Sequence, residues 1–63
     1  MGDSDESIIL RAYTEAKLAA FEKGLSGLAA TKAVLAATAK VSSRLIGRDI
    51  TPETVEHIVS RAR

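Results

Sequence analysis

The sequence predicts an all-α fold: an antiparallel helical hairpin plus a short third helix, assembled as a homodimeric helix bundle. Three observations predict it. No segment alternates apolar and polar residues with a period of two, whereas three segments repeat apolar residues at helical spacing. The punctuation is sparse, with four glycines and one proline, and the informative residues sit at Gly24-Leu25-Ser26-Gly27 and Gly47-Arg48-Asp49-Ile50-Thr51-Pro52. The apolar stripes are also wider than three short helices can cover.

The first segment, about 4–23, opens in an acidic turn. Asp3, Ser4 or Asp5 can cap free amides there, and Asp5 and Glu6 oppose the positive end of the helix dipole. At about 100° per residue, Ile8, Ile9, Ala12, Tyr13, Ala16, Ala19 and Ala20 share an arc roughly 140° wide, which makes the helix amphipathic. Leu10, Leu18 and Phe21 fall outside that arc. Residues 1–3 are expected to be disordered.

Gly24 stands where a left-handed C-terminal cap is needed, and Ser26 is placed to cap a second helix over about 27–46. So short a turn forces antiparallel neighbours of nearly equal length, about 27 and 30 Å at 1.5 Å per residue. On the second helix Ala30, Val34, Ala37, Val41 and Leu45 lie beside Leu28, Leu35, Ala39, Ser42 and Ile46, with Thr31 and Thr38 between them. That arc of about 200° exceeds what one facing helix covers. Its alanines, Ala29, Ala30, Ala33, Ala36, Ala37 and Ala39, let neighbouring backbones approach closely.

The third helix, about 52–62, has the strongest local signal. Thr51 fits an N-cap, Pro52 presets φ at the first helical position, and Glu53 and Glu56 favour the positive end of the dipole. Ile50 and Val55 occupy the two positions of a hydrophobic staple. Val55, Ile58, Val59 and Ala62 then follow the i, i+3, i+4, i+7 rule. About 11 residues are marginal as an isolated helix, so this one must dock on the hairpin.

Length and composition bound the function. Sixty-three residues read as a single domain, 1–63, because a chain this short buries only about 60% of its unfolded surface. Of 29 apolar residues 11 are alanine, leaving 18 larger side chains for a core. There is no cysteine, and His57 is the single histidine, so neither a disulfide framework nor a Cys/His metal site is expected. No apolar run approaches the roughly 18 residues of a membrane span, and the acidic start has the wrong sign for a signal peptide. The expectation is a soluble, cytoplasmic protein with no membrane partner.

A catalytic site is not expected, and neither is a cofactor. His57 has Glu53 four residues before it and Arg61 four after, on the side away from the apolar stripe, which reads as a solvated histidine in local ion pairs. Ser42 and Ser43 sit within the second helix with no base in register, and Ser4, Ser7 and Ser26 read as caps. No nucleophile elbow, phosphate loop or dinucleotide fingerprint is present.

Two features carry functional content. Leu10, Leu18 and Phe21, with Val34, Val41 and Leu45 of the second helix, form the candidate protein interface; left wet on a small chain, such side chains ask for a mate. They predict a non-enzymatic interaction module, an adaptor, regulator or assembly factor, that pairs with itself and binds a further protein partner. The second feature is charge. Residues 24–48 hold four bases and no acid, although the net charge is only +1. Lys40, Arg44 and Arg48 form a row that suits phosphates, so the alternative is a small dimeric nucleic-acid-binding protein. No stacking aromatics accompany the row.

The stretch Gly47-Arg48-Asp49-Ile50-Thr51-Pro52-Glu53-Thr54-Val55-Glu56-His57-Ile58 resembles the end of the histone fold, where a long central helix passes through a Gly-Arg-x-x-Ile-type loop into a short helix. The resemblance covers about a fifth of the chain. It implies an obligate dimer, with Arg48 and Thr51 as phosphate contacts. The chain departs from that fold in its two near-equal helices, separated at Gly24 and Gly27, where the histone fold has a short first helix and a long central one.

Overall fold

The computed structural model describes residues 4–62, so the expectation for residues 1–3, and Asp3 as a cap, lie outside it. Among the described residues there are three α-helices and no strand: α1 (Ser4–Glu22), α2 (Gly27–Ile46) and α3 (Pro52–Ala62). None is long and apolar enough to cross a membrane.

The α1–α2 turn closes through backbone hydrogen bonds. Leu25 N–H reaches the Ala20 carbonyl at 3.0 Å and Gly24 N–H reaches Phe21 at 3.0 Å, the paired bonds of a Schellman cap. Gly24 makes this possible at φ 81°, a left-handed conformation that costs any residue with a Cβ. Ser26 occupies the N-cap position of α2, but its hydroxyl makes no capping bond. The expected side-chain cap is therefore absent, and Ser26 contributes only its carbonyl, which accepts from Ala30 N–H at 3.4 Å. Ser7 is no cap either, because it falls within α1.

Packing of α1 on α2 follows steps of four. Along α2, Val34, Thr38 and Ser42 are buried, and Ala30 and Ile46 are half-buried at the two ends of the same row. On α1, Ala12 and Ala20 are buried with Ala16 half-buried between them. Such rows are the i±4 ridges by which helices interlock. The row drifts about 40° per step around α2, so the buried side near the turn is not the buried side near Ile46. The apolar arc of about 200° expected on α2 is thereby split. Its inner part is buried, whereas Val41 (46% exposed) and Leu45 (64%) are left outside.

Thr51 caps α3 as expected: its hydroxyl accepts from Thr54 N–H at 3.2 Å, and its carbonyl accepts from Val55 N–H at 3.1 Å. Ile50 and Val55, the staple pair, are both buried in one cluster with Ile9 and Ala39. Tyr13, Leu35, Ile46, Ile58 and Val59 pack around it. The core thus joins all three helices.

Two ends fix how α3 lies. Near its start, Ile50 bonds Ser43 of α2; at its last turn, Arg61 lies 3.9 Å from Glu6 in the first turn of α1. It therefore runs from α2 to α1 across the open end of the hairpin and leaves the half nearest the turn uncovered.

Candidate functional site

The uncovered half of the hairpin is the candidate site, and its apolar content follows from how α1 is patterned. One arc of α1 faces α2 and α3. On the opposite side Thr14, Leu18 and Phe21 repeat at i, i+4 and i+7, a second stripe on the same helix. Among the described residues nothing covers it: Phe21 is 78% exposed and Leu18 58%. Together with Lys17 these three residues line a shallow apolar depression.

Beside the stripe, at the turn, lies a half-open groove of about 170 Å³. Tyr13, Ala20, Phe21 and Leu25 form one wall, and Ala30, Thr31 and Val34 of α2 form the other. Lys17 also borders it and lays its ammonium over the Tyr13 ring, 6.0 Å from the centroid, at the outer limit of a cation–π contact.

The six residues expected at a protein interface separate into three environments. Leu18 and Phe21 are exposed on the outer face of α1, and Leu10 is half-buried. Val41 and Leu45 are exposed on α2. Val34, in contrast, is buried within the hairpin on the row that faces α1, so it contributes to the internal core rather than to a surface. Leu25 and the 77% exposed Leu28 belong with the exposed set and were missed in the sequence. Leu25 lies within the glycine-bounded turn, where no helical period picks it out, and Leu28 was read only as part of the α2 arc.

The basic row is divided as well. Lys40 and Arg44 are exposed and engage no acid among the described residues. Arg48 donates to the Asp5 carboxylate at 2.6 Å, tying the loop after α2 to the start of α1. Thr51, the other position that the histone resemblance implies as a phosphate contact, spends its hydroxyl on the α3 cap. Of the implied contacts, then, one is ion-paired and the other is a cap.

No catalytic arrangement emerges among these side chains. His57 is exposed, and its expected partner Arg61 turns to Glu6 instead. Among the described residues no three His, Cys, Asp or Glu side chains gather as metal ligands would. Ser43 binds backbone, and the buried Ser42 hydroxyl has no hydrogen-bond partner. Against known proteins, the chain matches no protein family, no curated protein and no solved structure.

Proposed function

We propose that this chain is a non-enzymatic helical interaction module that pairs with itself and docks a further protein, as an adaptor, regulator or assembly factor does. The observation that supports it is the position of Phe21. The only phenylalanine among 63 residues stands 78% exposed beside Leu18, although the core is small enough to need it. Aromatic side chains carry a large share of binding energy where they are buried between proteins. Leaving one wet is costly unless another polypeptide covers it.

Two separate apolar surfaces suit two kinds of contact. The outer face of α1 serves self-association, and Val41 with Leu45 on α2 serves the further partner. Sedimentation across a concentration series tests the first: dimer formation that rises with concentration is expected, and a monomer at every concentration overturns the reading.

A second reading, binding of a nucleic-acid backbone, is favoured by Lys40 and Arg44, both exposed and free of ion pairs among the described residues. Because Arg48 already holds Asp5, it enters this role only by giving up an intrachain partner. Duplex binding that weakens steeply with salt, and that fails when Lys40 and Arg44 become glutamine, is the outcome this reading requires.

A further inference from the structure

We infer that the partner docked on the exposed face of α2 is an acidic amphipathic helix of another protein. This rests on the reading of Val41 and Leu45 as a docking surface and names the chemistry of what docks there. At about 100° per residue, Lys40, Arg44, Ala37, Val41 and Leu45 follow one another across an arc of about 140°, and all five are exposed. The two bases form one edge of the arc and the two aliphatic side chains the other, each pair one helical turn apart.

The cations on this face have no anion. Residues 24–48 hold four bases and no acid. The acids in the first turn of α1 are already engaged, Asp5 by Arg48 and Glu6 by Arg61, whereas Lys40 and Arg44 join no ion pair among the described residues. The same face of a second copy does not answer this charge. An antiparallel two-fold pair of α2 faces sets the basic edge on the mate's basic edge, and a parallel pair lays it on the mate's aliphatic edge. A nucleic-acid backbone would answer the bases but leave both aliphatic side chains wet. A helix whose apolar stripe is bordered by carboxylates answers both edges at once.

The test uses two designed helical peptides with the same leucine stripe, one bordered by glutamates and the other by glutamines, each labelled for fluorescence anisotropy at low salt. The glutamate peptide should bind about fivefold or more tightly than the glutamine peptide, and added salt should erase the difference. Lys40→Glu with Arg44→Glu should remove that preference, and Leu45→Gln should weaken both peptides. Lys32→Glu, exposed on α2 but outside the arc, should change the preference by less than about twofold. Equal binding of the two peptides through Leu45 overturns the acidic partner and leaves the docking surface intact. Binding of neither, or binding indifferent to Leu45→Gln, overturns both. A DNA duplex that binds more tightly than the glutamate peptide and ignores Leu45→Gln overturns the inference in favour of a nucleic-acid backbone. Sedimentation that shows self-pairing lost in Leu45→Gln overturns it in favour of a second copy.

Discussion

The Ser43 hydroxyl accepts the Ile50 N–H at 2.8 Å and donates to the Ile50 carbonyl at 3.2 Å, so one side chain satisfies both backbone polar groups of a residue seven positions away. The bonds hold the α2–α3 loop against the end of α2 and set Ile50 into the core beside Val55. Docking of α3 thus depends on a serine that would otherwise be an unfavoured residue within a helix.

Ser43→Ala should therefore cost about 1–3 kcal/mol, because it strands a half-buried donor and acceptor rather than removing a bond cleanly. Urea denaturation measures it. Hydrogen exchange should show α3 amides opening before those of α1. A loss below about 0.5 kcal/mol would mean that water replaces the serine without penalty.

Its neighbour should behave in the opposite way. The Ser42 hydroxyl is fully buried and has no partner. Replacing it with a methyl group removes an unsatisfied polar atom from the α1–α2 contact, so Ser42→Ala is expected to be neutral or stabilising by up to about 1 kcal/mol. Thermal unfolding of the two alanine variants side by side should show a lower midpoint for Ser43→Ala and no lowering for Ser42→Ala.

The three helices were legible in the sequence because their ends carry local chemistry: Gly24 for a left-handed cap, Thr51-Pro52 for a start, and the Ile50–Val55 staple. The bare stripe of Leu18 and Phe21 was legible too, since both fall outside the arc that turns inward. Which part of the α2 arc would be buried was not. Helical periodicity treats a helix as straight and its neighbour as parallel, whereas the buried row Ala30, Val34, Thr38, Ser42 and Ile46 winds around α2 with the crossing of α1. Val34 therefore went inside while Val41 stayed out. The Ser43–Ile50 and Arg48–Asp5 bonds join residues whose proximity only the tertiary fold creates, so no spacing rule anticipates them.

Leu18→Gln with Phe21→Gln should abolish pairing while changing the stability of the single chain by less than about 0.5 kcal/mol, the usual scale for exposed positions. Sedimentation and chemical denaturation at low concentration measure the two effects separately. Severe destabilisation of the monomer would instead place these side chains in an internal core.

Gly47 ends α2 at φ 83°, and its N–H bonds the Ser43 carbonyl at 2.9 Å. A Cβ added there would meet nothing within 4 Å, so any penalty comes from the backbone conformation alone. Gly47→Ala is expected to cost about 1–2 kcal/mol, and Gly47→Asn less, because asparagine tolerates the left-handed region better. Equal losses for the two variants, read from denaturation midpoints, would point to a steric cause instead.

Two valines test how α2 and α3 divide the core. Val55 is fully buried at the junction of all three helices, whereas Val41 lies 46% exposed on the α2 face that neither α1 nor α3 covers. Truncating a buried side chain costs both its transfer free energy and the cavity left behind, so Val55→Ala should lose about 2–3 kcal/mol. Val41→Ala leaves no enclosed cavity, and its loss should stay below about 1 kcal/mol in the isolated chain. Denaturant unfolding at low concentration measures both. Comparable losses would mean that Val41 is enclosed after all, which would close the α2 face proposed for a further protein partner.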